Sequence, residues 1–142
     1  MFMKRNASAV WKGSIKEGSG VVSTQSGTLD NTAYSFKSRF ESGTGTNPEE
    51  LIGAAHAGCY AMAFSLMLGE AGYEPSEIDA KAEVSLVEDD GGFKIDAIKL
   101  TVTATIDGIS DDEFQKIANQ AKEGCPVSKV LNADISLDAN LN

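Results

Sequence analysis

The sequence predicts an α+β fold, and three observations carry that prediction. Short β-prone runs alternate with glycine turns over the first forty-odd residues. An uncharged stretch from Leu51 to Gly69 follows a strong helix-start signal, and apolar residues then recur at period two between Phe93 and Ile106. At 142 residues the chain is one domain's worth by length, so a single domain over residues 1–142 is expected.

Taken in order, Ala7-Ser8-Ala9-Val10-Trp11 and Val21-Val22-Ser23-Thr24 read as strands separated by the turn Gly18-Ser19-Gly20, with a further turn at Ser26-Gly27. Tyr34 to Phe40 alternates aromatic and polar residues and reads as a third strand, with Lys37 and Arg39 on the side of Ser35. Asn47 is a cap, Pro48 suits the first helical position, and Glu50 stands three residues after Asn47, so a helix is expected from Pro48 to Ala71, stopped by Gly72. Lys81 to Val87 reads as a strand, Asp89-Asp90-Gly91-Gly92 as a tight turn, and Phe93 to Ile106 as a long strand with Ile98, Leu100, Val102, Ala104 and Ile106 on one face. Ser110-Asp111-Asp112-Glu113 is a second capping box ahead of Phe114, Ile117, Ala118 and Ala121 at helical spacing, with Gly124 as its stop. Cys125-Pro126 opens a short helix through Leu131, and Ala133 to Asp138 reads as a last strand. Strands and helices interleave without a repeat, a linker or a low-complexity tract.

Charge and composition exclude several functions. Twenty-one acidic residues against twelve basic ones leave a net charge of −9, and no cluster of Lys and Arg could neutralise several phosphates, so nucleic acid is not an expected partner. Lys4 and Arg5 are followed by no apolar run of secretory length, and a cytoplasmic address is expected. The segment from Leu51 to Gly69 is about as long as a bilayer crossing. It nevertheless contains His56, Cys59 and Ser65 and lacks basic flanks and aromatic belts, so it reads as a central buried helix. No membrane is expected, and a second subunit is one way to cover such a helix.

The reactive inventory is small: two cysteines, Cys59 and Cys125, and one histidine, His56. Two cysteines 66 residues apart and a lone histidine leave a zinc site short of ligands, so no metal is expected. In a reducing compartment a cysteine pair is either reactive or inert core packing. Cys59, about three turns into the uncharged helix, is expected to be buried, which by itself raises its pKa. Cys125 precedes Pro126 at the mouth of a helix, where backbone amides favour a thiolate. Of the two arginines, Arg5 lies near a terminus, and Arg39 is the better cation to hold a thiolate and bind a polar substrate oxygen. His56, three residues before Cys59, shares its helix face and opens a rival reading as the base of a Cys-His hydrolase or acyltransferase. No third, orienting group is evident for that pair, and a hydrogen-bonded interface histidine is the plainer reading.

The segment Gly45-Thr46-Asn47-Pro48-Glu49-Glu50-Leu51-Ile52-Gly53-Ala54-Ala55-His56-Ala57-Gly58-Cys59 resembles the signature of the OsmC/Ohr family, the osmotically inducible protein C and organic hydroperoxide resistance proteins. Ala121-Lys122-Glu123-Gly124-Cys125-Pro126-Val127-Ser128 is similar to its second motif. Arg39 before the helix and the Ala55-His56-Ala57 step resemble the OsmC branch. The resemblance implies an OsmC-like fold, with antiparallel sheets packed on a long central helix in an intertwined homodimer. It also implies a thiol peroxidase of organic hydroperoxides, with Cys59 peroxidatic, Cys125 resolving through a Cys59–Cys125 disulfide, Arg39 the activator and Glu49 its anchor. No cofactor is implied, and an external dithiol, of lipoyl or similar type, would reopen the disulfide.

Helix geometry separates Glu49 from Cys59 by about 15 Å along the axis and puts them on different faces. Arg39 and Glu49 of one chain need not therefore serve its own cysteine, and a partner's Glu49 is an alternative. Phe36, Phe40, Tyr60, Met62, Phe64 and Met67 are candidates for an apolar substrate pocket, with Phe64 and Met67 read first as core. A non-catalytic stress, binding or redox-sensing protein of the same fold is the alternative function.

Overall fold

The computed structural model describes residues 2–142. They form two compact units, one reaching Leu51 and the other running from Ile52 to Asn142. The first unit carries strands β1 (Ala7–Lys12), β2 (Ser19–Thr24) and β3 (Thr32–Tyr34), paired antiparallel in the order β1-β2-β3. Trp11 and Tyr34 bring their rings to 5.4 Å between centroids. They close over Gly20, where an added Cβ would come within 2.5 Å of Tyr34 Cε1 and 2.6 Å of Trp11 Cε3, so a side chain at this position would displace both rings.

The expected third strand stops at Tyr34. Phe36–Phe40 is a short helix, α1, because Ser35 caps it in both directions: its hydroxyl accepts from the Ser38 amide and its own amide donates to Ser38 Oγ at 2.8 Å. Phe36 and Phe40, one turn apart, stack at 5.0 Å. The alternation of aromatic and polar residues fits a period of four as well as two, and the serine pair decides between them. Lys37 and Arg39 accordingly do not share a strand face with Ser35.

Helix α2 spans Pro48–Glu70, within a residue of the expected range. Asn47 Oδ1 accepts from the Glu50 amide at 2.8 Å, as the cap requires, but the Glu50 carboxylate takes the Thr46 hydroxyl at 2.7 Å instead of the Asn47 amide. At the other end Gly72 has φ +90°, and the Tyr73 amide reaches back to the Leu68 carbonyl at 2.8 Å.

The second unit is built on a hairpin of two long strands, β4 (Pro75–Asp89) and β5 (Gly92–Ile106), with β6 (Asp134–Leu141) added to β5 in parallel. This sheet is mixed, and the expectation of antiparallel pairing throughout is corrected here. Helices α3 (Asp111–Gly124) and α4 (Pro126–Val130) fill the crossover that returns the chain in the same direction. Ser110 caps α3 by accepting from the Glu113 amide at 3.2 Å, while the Glu113 carboxylate accepts from the Tyr73 hydroxyl at 2.7 Å. Ile98, Leu100, Val102, Ala104 and Ile106 of β5 face the core as the period-two pattern requires. Against them pack Tyr60, Phe64 and Leu68 of α2 and Phe114, Ile117, Ala118 and Ala121 of α3.

Phe114 is fully buried, and its ring lies 5.6 Å from that of Phe64. Phe114→Ala should lower unfolding free energy by about 3–5 kcal/mol, the usual range for emptying a buried phenylalanine site, as measured by urea denaturation. A loss under about 1 kcal/mol would mean that this ring is not a core element.

Candidate active site

The packing of α2 against the end of α3 brings together the two cysteines. Cys59 lies about three turns into α2, and Cys125 caps α4 directly after α3 ends. Their sulfurs are 2.9 Å apart, with both residues in the free thiol form. The expectation of a buried Cys59 is corrected: it is partly exposed, whereas Cys125 is fully buried. Residues i, i+3 and i+4 of α2 face inward through Gly53, His56, Tyr60, Phe64 and Leu68, and Cys59 falls at the margin of that stripe.

The pair shares one hydrogen bond that either sulfur can donate. Burial pushes the Cys59 thiol up, as does its bond to Cys125, and the Val127 amide offsets only part of this. Burial also pushes Cys125 up, but the Cys59 thiol, the Ser128 amide and hydroxyl and the Val127 amide together outweigh it and leave Cys125 below the ordinary thiol range. These groups act on the sulfur without completing a regular side-chain cap bond to α4. Of the two thiols, Cys125 is therefore the one its surroundings favour as a thiolate, and Cys59 the one they disfavour.

Arg39 and Glu49 form a second pair, in the first unit. Arg39 Nη2 and Nε both approach Glu49 Oε1, at 2.9 and 3.0 Å. The Glu49 side chain is 11% exposed and that of Arg39 is 38% exposed, so the carboxylate is the buried anchor and the guanidinium the accessible end. The Asn47 side-chain amide donates to the Ser38 carbonyl at 3.1 Å and Ser38 Oγ donates to the Thr46 carbonyl at 2.8 Å, which ties α1 to the start of α2 and sets this ion pair. Its partners belong to one chain, so the Arg39–Glu49 contact needs no second subunit. Beside Arg39, Trp11, Ile15, Tyr34, Phe36 and Phe40 line a cavity of about 210 Å³.

Of the expected pocket residues, Phe36 and Phe40 do line this cavity, while Tyr60 and Phe64 are core residues, Met67 packs on the core and Met62 is 77% exposed. No acid lies within bonding distance of His56 among the described residues, so the Cys-His reading lacks its orienting group. His56 Nε2 is instead 2.7 Å from Ser128 Oγ. Ser128 was not singled out from the sequence, although its place three residues after Cys125, across the first turn of α4, was a usable signal. Among the described residues no group of three or more His, Cys, Asp or Glu could hold a metal ion.

A family profile described as OsmC-like protein matches residues 41–140. The chain belongs to the OsmC-like family. It is 52% identical over 141 residues to Peroxiredoxin OsmC of Escherichia coli strain K12, covering 99% of both chains. It is also similar to the organic hydroperoxide resistance protein OhrB of Bacillus subtilis strain 168, at 34% identity over 84% of this chain and 88% of that one. The crystal structure of Bacillus subtilis OhrB matches with a TM-score of 0.68 at 27% identity, over 96% of this chain and 98% of that one. The family's α+β architecture is the one found here.

The opposite surroundings of the two thiols make a testable signature. In the reduced protein, ultraviolet thiolate absorbance should rise in two steps, the first below and the second above the pH of an ordinary thiol. Two thiols ionising together at the ordinary value would contradict the hydrogen-bonded pair.

Proposed function

We propose that this chain is a thiol-dependent peroxidase that reduces organic hydroperoxides to alcohols through Cys59 and Cys125. The observation that carries this reading is the juxtaposition of a partly exposed thiol with a fully buried one at 2.9 Å. The exposed sulfur can meet a peroxide, and the buried one is already within reach of the product. The relatives named as a peroxiredoxin and an organic hydroperoxide resistance protein support the same chemistry.

In the first step the Cys59 thiolate attacks the outer peroxide oxygen. The S–O bond forms as the O–O bond breaks, and the leaving alkoxide takes up a proton to become the alcohol. Cys125 then attacks the sulfur of the resulting sulfenic acid, forming the disulfide and expelling hydroxide, which leaves as water with the proton Cys125 gave up. An external dithiol reduces the disulfide by exchange and is itself oxidised.

With the first charge favoured at Cys125, Cys59 needs a cation to be the attacking thiolate. Arg39 is our choice, with Glu49 as its anchor: a guanidinium stabilises a thiolate and polarises a peroxide oxygen, and a buried carboxylate fixes its orientation. The aromatic cavity beside Arg39 suits the alkyl part of a small organic hydroperoxide.

The working unit is a homodimer on this reading. Although α2 is long and apolar enough to cross a membrane, its inner face lies in the core. Its other face, with Ala55, Gly58, Met62, Leu66 and Gly69, is exposed and uncharged, and a second copy is the occupant we infer. A reducing compartment such as the cytoplasm suits a disulfide that must be reopened in each turnover.

With cumene hydroperoxide and a dithiol reductant, turnover should exceed that with hydrogen peroxide and should vanish in Cys59→Ser. Cys125→Ser should complete one turnover and accumulate a sulfenic acid that dimedone traps. Unchanged turnover in Cys59→Ser would sink the mechanism, and no turnover of the native protein with any dithiol would favour a binding or sensing role. Arg39→Lys should lose about a hundredfold in rate, the scale for removing one preorganised donor. Leu66→Glu should move the protein to monomer size in sedimentation, and an unaltered dimer would place the interface elsewhere.

A further inference from the structure

His56 is a buried titratable residue that the reaction as described leaves unused. Its ring is fully buried, burial pushes its pKa down, and it is therefore neutral near pH 7. A neutral imidazole carries one N–H, on Nε2 or Nδ1. Nε2 lies 2.7 Å from Ser128 Oγ, while Nδ1 is buried with no hydrogen-bond partner among the described residues. A proton on Nδ1 would be an orphaned buried donor, which proteins tolerate less readily than an unpaired acceptor. The arrangement thus favours the Nε2–H tautomer, which donates to Ser128 Oγ.

That choice determines where the serine proton goes. A hydroxyl has one proton to give, and with Oγ accepting from His56 its O–H is free to turn elsewhere. Ser128 stands three residues after Cys125, at the third position of α4, where a cap side chain and its partner meet. Its hydroxyl and amide both interact with the Cys125 sulfur.

We propose that His56 and Ser128 form a positioning relay, His56 Nε2–H to Ser128 Oγ–H to Cys125 Sγ, which holds Cys125 as a thiolate for its attack on the Cys59 sulfenic acid. Neither residue touches the peroxide. The bond made is Cys59 Sγ–Cys125 Sγ, the bond broken is the sulfenic S–O, and the hydroxide leaves as water. Loss of the relay therefore slows disulfide formation without slowing peroxide cleavage, because any charge withdrawn from Cys125 falls to its hydrogen-bonded partner Cys59.

This inference rests on Cys125 being the resolving thiol, so its test has an arm that does not need turnover. In a Cys59→Ala background, where Cys125 is the sole thiol, ultraviolet titration should show Ser128→Ala raising the thiol midpoint by about one pH unit or more, with Ser128→Thr close to the parent. In the two-cysteine protein, rapid-quench experiments follow hydroperoxide loss and free-thiol loss separately. Ser128→Ala and His56→Leu should slow the second phase about ten- to a hundredfold, with more sulfenic acid trapped by dimedone. His56→Gln, which keeps a donor near the Nε2 position, should recover most of the rate. Unchanged midpoint and unchanged disulfide formation in folded Ser128→Ala would overturn the relay, as would slowing confined to the peroxide step. If His56→Leu fails to fold, the Ser128→Ala and Ser128→Thr pair decides alone. A native protein that consumes no hydroperoxide but still shows the titration shift would refute the peroxidase reading and keep the relay.

Discussion

The hydrogen bond from the Tyr60 hydroxyl to the Ala118 carbonyl, 3.0 Å long, sets the register on which the thiol pair depends. Tyr60 follows Cys59 directly, and Ala118 lies two turns before Cys125. Its ring is fully buried and stacks toward Phe64, which in turn meets Phe114. A buried phenol without an acceptor would be destabilising by about 1–3 kcal/mol, so α2 is discouraged from sliding along α3. Because α3 ends at Gly124 and Cys125 caps the next helix, fixing α2 on α3 fixes Sγ against Sγ.

Electrostatics then sets the two sulfurs apart. The amides at the start of α4 and the Ser128 hydroxyl favour charge on the buried sulfur, which is what the proposed resolving role asks of Cys125. The more exposed sulfur is pushed the other way, by burial and by its bond to Cys125. Within the first unit, the buried Glu49 carboxylate removes the Arg39 guanidinium's freedom while leaving part of it exposed.

Much of the fold is legible in residue order. The caps at Asn47 and Ser110, the turn at Asp89 to Gly92 and the inward face of β5 all follow from local chemistry or a two-residue period. The misreadings fall where two periods or two pairings compete. Tyr34 to Phe40 satisfies both a strand and a helix pattern, and the reciprocal Ser35–Ser38 bonds select the helix. The strand expected at Lys81–Val87 extends from Pro75 to Asp89, because β5 pairs with it along its whole length even where its own residues are polar. The direction of β6 had no local signature: Asp134–Leu141 alternates equally well beside a parallel or an antiparallel neighbour, and the two-helix crossover decides.

The candidate site divides along the same line. Residue types and placement alone point to Cys59, Cys125 and Arg39, because thiol chemistry needs few groups and the chain contains few, whereas Glu49 enters only through the resemblance to the family motif. Long-range packing was required to give Cys59 its exposure, Cys125 its burial and His56 its partner 72 residues away. Exposure and proton position depend on which faces meet. Helical periodicity says that α2 has an apolar stripe, but not where its edge falls, and Cys59 lies at that edge.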